Sequence, residues 1–165
     1  MSKIAIIADT HDNIPRIDQM LEKLKEEKIK TIIHCGDVCA PNVLKYLAKK
    51  FSGQIYLSLG NVDNDHELMS KMAQEELKNI KIYEKFGKLK IDKLKIAFTH
   101  FSDQAKKLAQ TNKYDFVFYG HTHQPWEDKI GNCQLINPGT VAGLFTKSTF
   151  AILNTDTKEL ELIIL

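Results

Sequence analysis

Three short apolar runs, KIAIIA, TIIHC and IYLSL, are each followed by residues at helical spacing, and this alternation constrains the fold more than any other feature. Lys3–Ala8, Thr31–Cys35 and Ile55–Leu59 are apolar almost throughout, as strands covered on both faces are. After the first run come Ile17, Met20, Leu21 and Leu24 on one helical face, with Asn13 or Pro15 at its start. After the second come Val43, Leu44, Leu47, Ala48 and Phe51; after the third, Leu68, Met69, Met72 and Leu77. Strand and helix in strict alternation predict βαβ units and a parallel sheet.

The second half has a different rhythm. Leu89, Ile91, Leu94, Ile96 and Phe98 alternate around Asp92 and Lys93, which predicts a hairpin with one buried face. Ala105, Leu108 and Ala109 predict a short helix capped by Ser102. Asp115–Tyr119 reads as another buried strand, Gly131 and Asn132 as a hairpin turn, and the C-terminal stretch as a hairpin around Asp156 and Thr157. The whole is α/β, with either one mixed sheet or two packed sheets. A chain of 165 residues is expected to form one domain spanning residues 1–165.

Composition narrows the function classes. With 43% hydrophobic and 27% charged residues the chain is globular and not disordered. The mixed-sign stretch Glu22–Lys30 reads as a solvated helix face. A net charge of +2 argues against a dedicated nucleic-acid binder, so nucleic acid is expected only as a substrate. Cys35, Cys39 and Cys133 make an odd count, which points to reduced thiols and a cytoplasmic setting. Asp9 interrupts the N-terminal apolar run, so a signal peptide is not expected, and no run approaches the ~18 residues of a membrane span.

The chemistry is concentrated just past the apolar runs. Asp9 and His11 follow the first, Gly36 and Asp37 the second, Gly60 and Asn61 the third. His100 follows KIAFT, and Gly120, His121 and His123 follow DFVFY. The carboxyl ends of strands in α/β sheets form the ligand-binding edge, so these residues are expected to meet in space. Glycine before the polar residue allows a sharp turn and a close backbone approach. Four histidines, two aspartates and one asparagine offer only nitrogen and oxygen donors, a set suited to Mn, Fe, Zn, Co or Ni. Seven donors suit two ions roughly 3.5–4 Å apart that share a carboxylate and a hydroxide.

The series D-x-H (Asp9, His11), GD (Gly36, Asp37), GN (Gly60, Asn61), His100 and GHTH (Gly120–His123) resembles the calcineurin-like metallophosphoesterase superfamily. The short chain, with its HCGD and NPGT segments, is similar to the small YfcE-type phosphodiesterase branch. The resemblance implies a four-layer α/β/β/α sandwich of two mixed sheets flanked by helices. It implies one ion on Asp9, His11, Asp37 and His123, and a second on Asp37, Asn61, His100 and His121, with Asp37 as bridge. The implied activity is dinuclear metal-dependent hydrolysis of small phosphate diesters by a bridging hydroxide, with Asp37, Asn61 and His100 at the catalytic core. Mn2+ is the first expectation among the metals, ahead of Ni2+, Fe, Co2+ or Zn2+; members of this branch resemble homodimers or homotetramers. A non-catalytic protein-interaction scaffold of the same fold and a small nuclease are the alternatives.

One position departs from the superfamily pattern. Many members carry GNH, and that histidine is thought to protonate the leaving group; here the string is GNVD, Gly60–Asp63. A missing general acid typically costs about 10²–10⁴-fold, so weak activity on poor leaving groups is expected. His66 is a candidate substitute; His34 reads as a core residue, and Cys35 and Cys39 as packed thiols. Asn13, Gly139 and Thr140 are candidate substrate contacts, against a helix cap for Asn13 and a plain turn for Asn137–Thr140. Trp126 and Phe145 read as packing residues, with the mouth of a cleft as the second reading.

Overall fold

In the computed structural model, which describes residues 3–165, the alternation of the first half becomes seven elements. They are β1 (Lys3–Ile7), α1 (Ile14–Glu26), β2 (Thr31–His34), α2 (Pro41–Lys50), β3 (Gln54–Ser58), α3 (His66–Glu75) and β4 (Ile80–Tyr83). The second half supplies β5 (Phe86–Ile91), β6 (Leu94–Thr99), α4 (Ser102–Gln110), β7 (Phe116–Phe118), β8 (Trp126–Ile130), β9 (Cys133–Asn137), β10 (Thr149–Asn154) and β11 (Leu160–Ile164).

These strands form two mixed sheets, the second of the two arrangements that periodicity left open. The first has the order β11-β10-β1-β2-β3-β4, parallel from β1 to β4 and antiparallel through β10 and β11. The second has the order β5-β6-β7-β9-β8, with a parallel centre and antiparallel edges. Side-chain alternation then sorts the core into three seams. Ala5, Ile7, Ile32 and Leu57 face α1–α3, where they meet Ile17, Met20, Leu44 and Met69. Ile4, Ile6 and Ile33 face the other way and pack on Ile96, Phe98, Phe116 and Phe118 of the second sheet. Ala97, Val117 and Leu135 turn outward to Ala105 and Ala109 of α4. The layers are therefore helix, sheet, sheet, helix. Each fully buried Ile or Phe in the central seam contributes roughly 1.5–3 kcal/mol, so that seam fixes how the two sheets face each other.

Local signals explain most element ends. Asn13 caps α1 through the Arg16 N–H, with proline in the first turn. The hairpins turn at Asp92–Lys93 and Gly131–Asn132, where Asp92 and Gly131 have positive φ, and again at Asp156–Thr157. Three local expectations need correction. Ser102 is the first residue of α4, not its cap; Phe101 precedes it without a side-chain hydrogen bond. Leu68 is 42% exposed and Leu77 lies past the end of α3, so Met69 and Met72 carry that helix's buried face. The edge strand β4 was not expected, because only Ile80 in it is buried and its alternation is too short to stand out.

Candidate metal centre

The strands that carry the candidate ligands all run toward the same end of the sandwich. Asp9 and His11 leave β1, Asp37 leaves β2 and Asn61 leaves β3; His100 leaves β6, and His121 and His123 leave β7. The residues expected from sequence to share a site do so. Asp9, His11 and His123 place donor atoms within 4.8 Å of one another, and so do Asp37, His100 and His121. The His11 Nε2 and His123 Nε2 atoms are 3.0 Å apart, and both face Asp9 Oδ1, at 3.6 and 3.3 Å. In the second group, His100 Nε2 lies 2.9 Å from Asn61 Oδ1, 3.2 Å from His121 Nδ1 and 3.3 Å from Asp37 Oδ2. That same Asp37 oxygen is 3.9 Å from His11 Nε2, so Asp37 stands between the two groups.

The loops that hold these side chains are wound unusually tightly. Asp9, His11, Asp37, His121 and His123 all have positive φ, between 40° and 71°. Aspartate and histidine tolerate this region better than most residues, yet such backbone costs on the order of 1–3 kcal/mol per residue and persists only where the surroundings impose it. The surroundings do impose it. Asp9 N–H donates to Gly36 O, His11 N–H to Asp37 O, and Gly120 N–H to His100 O. Space is equally restricted: a methyl group added at Gly60 would collide with the Asp37 carboxylate, and one at Gly120 would lie 2.8 Å from Asp9 Oδ2.

The hydrogen bonds behind the histidines decide which ring nitrogen is available. His100 Nδ1–H donates to Cys35 O at 2.8 Å, leaving the Nε2 lone pair facing the space it shares with Asp37, Asn61 and His121. Cys39 Sγ lies 3.4 Å from His11 Nδ1 and holds the opposite side of that ring. Burial, reinforced by Asp12 and Asp63, pushes the Cys39 thiol up to about 12. The Asp9 carboxylate holds the His11 imidazole above its usual range. Burial opposes charge on His100, but Asp37 outweighs it and the net displacement is upward. Burial likewise opposes charge on Asp37, and His100 with the Val62 N–H pulls it below the usual carboxylate range.

Two observations show that divalent ions fit this set. Asp9 Oδ1 is buried and lacks a hydrogen-bond partner among the described residues, although its other oxygen accepts the His121 N–H at 3.0 Å. Leaving such an atom unsatisfied costs about 1–3 kcal/mol or more for a charge, and a cation beside it removes that cost. The paired Nε2 atoms of His11 and His123 also point lone pairs at a common space beside that oxygen. The donors are nitrogen and oxygen, with Asp37 placed to serve both groups.

Comparison with known proteins agrees with this geometry. Residues 2–158 match the model of the calcineurin-like phosphoesterase superfamily domain. The chain belongs to the calcineurin-like phosphoesterase superfamily. It is 32% identical over 166 residues to a phosphodiesterase of Methanocaldococcus jannaschii, covering 99% of each chain. It is 23% identical to the phosphodiesterase YfcE of Escherichia coli, over 86% of this chain and 80% of that one. The solved structure of an archaeal phosphodiesterase superposes with a TM-score of 0.89 at 32% identity, covering 99% of each chain. Vps29 of Entamoeba histolytica, in a structure with zinc, superposes at 0.69 and 16% identity, covering 99% of this chain and 97% of that one; this likeness shows the fold alone.

Within this superfamily frame the other sequence candidates fall into place. Asn13 spends its side chain on the protein: Oδ1 caps α1 and Nδ2 donates to Ala142 O. Thr140 is fully buried and donates to Asp9 O, and Gly139 N–H donates to Asn137 Oδ1, packed against Thr149 and Pro125. The polar groups of all three thus have partners within the protein, in the loops around the site. His66 opens α3 and is exposed, along a shallow depression with Glu67, Ser70 and Glu84 that includes none of the seven candidate ligands. Trp126 and Phe145 are 61% and 102% exposed, so neither packs in the core.

Two residues that sequence reasoning passed over are built into the support. His34 is fully buried, as expected, but it is also wired to the site. Its Nδ1 accepts the Gly36 N–H at 3.2 Å, so its Nε2–H donates to Thr10 Oγ1, whose hydroxyl reaches Asp37 O at 3.4 Å. Asp63, two residues past Asn61, accepts backbone N–H groups from two ligand-bearing loops. The available signal was a carboxylate two residues after a GN turn with no lysine or arginine beside it.

Proposed function

We propose that this chain is a phosphodiesterase that holds two divalent ions and hydrolyses small phosphate diesters to a monoester and an alcohol. The observation that carries the reading is the pair of adjacent donor groups joined at Asp37, with the unsatisfied Asp9 oxygen in one of them. One ion would take Asp9, His11, Asp37 and His123, and the other Asp37, Asn61, His100 and His121. Mn2+ is the metal we favour, in a single cytoplasmic domain spanning residues 1–165. When bound, such ions supply positive charge for the phosphate oxygens and a nucleophile from water near neutral pH.

The chain's own contribution is placement and charge. Asp9 and Asp37 bring only two negative charges, so two divalent ions held here would leave the centre net positive and attractive to an anionic ester. His100 is locked by the Cys35 carbonyl in the tautomer that presents Nε2. Asp37 Oδ1 is held by the Val62 N–H at 3.1 Å, which frees Oδ2 to face both groups. Phe101 packs edge-on against His100 and His121, with centroids 4.9 and 5.2 Å away, and limits their rotation. Val62 is partly exposed beside Asn61 and has no proton to give, so the alcohol must leave with little acid assistance. Aryl and other stable leaving groups are therefore the substrates this site should turn over best.

The test is metal content and bis-aryl phosphate hydrolysis in Asp37→Ala. The variant should lose both, because both groups depend on that carboxylate. Wild-type turnover by Asp37→Ala would refute the mechanism.

A further inference from the structure

Asp63 is 6% exposed, negatively charged, and forms no ion pair with a lysine or arginine among the described residues. Its charge is met by backbone alone. Oδ2 accepts the Gly60 N–H at 2.7 Å and the Asp37 N–H at 3.1 Å, and Oδ1 accepts the Cys39 N–H at 2.8 Å. All three donors lie in the loops after β2 and β3: one is the N–H of Asp37 itself, and another directly precedes Asn61. Gly36, Asp37 and Cys39 have φ of 95°, 61° and 79°, a winding that gathers N–H groups into an anion-binding concavity. Here the anion is the protein's own carboxylate. The bond is also returned, since the Val62 N–H donates to Asp37 Oδ1. Each loop therefore holds the other: the Asp63 side chain takes the Asp37 backbone, and the Asp37 side chain takes the backbone beside Asp63.

From this we infer that Asp63 is a positioning residue, an internal anion that sets the left-handed backbone of the Asp37 loop and fixes its distance from Asn61 before metal arrives. The inference rests on the two-ion reading above. It assigns Asp63 no contact with metal or substrate. Its consequence is that metal affinity, and not only stability, depends on a carboxylate outside the seven donors.

Asp63→Asn separates the two. The amide keeps the shape but offers one oxygen, so its NH2 must face at least one of the three N–H donors. The measurement is Mn2+ binding to chelator-treated protein by calorimetry, beside Ile152→Val, a core change remote from the site, as a stability control. Removing a partner that orients ligands typically weakens metal binding about 10–100-fold, and we expect that loss in Asp63→Asn but not in the control. Equal Mn2+ affinity in wild type and Asp63→Asn would overturn the inference while leaving the metal centre standing. A wild-type protein that binds none of Mn2+, Ni2+, Fe2+, Co2+ and Zn2+ would overturn the metal reading and this inference with it. Hydrogen exchange on the metal-free wild type needs no variant to fold: the Asp37, Cys39 and Gly60 amides should be protected, and free exchange at all three would also refute the role.

Discussion

His34 should make the metal-free protein sensitive to mild acid. Burial holds its imidazole down from 6.5 to about 4, and its hydrogen bonds agree, because Nδ1 must stay unprotonated to accept the Gly36 N–H. The unfolded chain therefore takes up this proton first as pH falls. The stabilisation from a neutral His34 is complete above 6.5, erodes below it, and is lost as pH falls through about 4. At ~1.4 kcal/mol per pH unit of displacement, the full effect is ~3 kcal/mol, a large share of a typical domain's 5–15 kcal/mol or so. The assay is urea unfolding with chelator, followed by circular dichroism from pH 7 to pH 4, on wild type and His34→Gln. The glutamine variant should start less stable at pH 7, having lost the tie to Thr10. It should then lose ~3 kcal/mol less than wild type on the way down. Titrating groups remote from His34 are common to both proteins and cancel in the difference. Superimposable pH slopes would show that His34 is not held neutral, and would refute the tautomer assigned to it.

Three further outcomes follow from the site's geometry. Gly60→Ala would push a methyl into the Asp37 carboxylate, and displacement of about 1 Å at such a centre costs about 10²-fold in rate; steady-state diester hydrolysis with unchanged circular dichroism would show it. Val62→His would place a proton donor beside Asn61 and should raise turnover of alkyl phosphate diesters by about 10²-fold or more, with little change for aryl diesters; equal gains on both would refute the leaving-group argument. The carboxylates hold His11 and His100 above their ordinary range, so both retain protons to higher pH and metal must displace them. Mn2+ binding near neutral pH should therefore release protons, in a number that shrinks as pH rises through those raised values; binding heats identical in buffers of different ionisation enthalpy would refute this.

The layers were legible in the sequence because burial writes them in two alphabets. Runs such as KIAII are buried on both faces and carry no alternation, which is what a strand between helices and a second sheet requires. Strand β5 alternates, because it lies at a sheet edge with one face toward water. The partition into two sheets was not legible, since an inward apolar side chain looks the same whether a helix or a sheet covers it. Edge strand β4 escaped for the opposite reason: Ile80 alone is buried there, and a single residue has no period.

The seven candidate ligands were legible for a related reason: each sits just past a buried strand, and polar residues there are conspicuous. Their supports were not, because nothing in residue type distinguishes a carboxylate that binds water from one that binds three amides. Asp63 and the second-row His34 gain meaning only once the loops are wound, and the winding is itself their product. Gly36, Asp37 and Cys39 adopt left-handed backbone that an isolated peptide would seldom hold. The bonds to Asp63, and the Thr10 hydroxyl that His34 holds against Asp37 O, offset that strain. Stiffness before binding is what a centre needs if its donors are to meet an ion, or a reacting phosphate, without rearranging. The departure at Val62 fits the same division of labour. What reaches the Asp37 carboxylate is the backbone N–H of this residue, on Oδ1, which any side chain other than proline leaves in place.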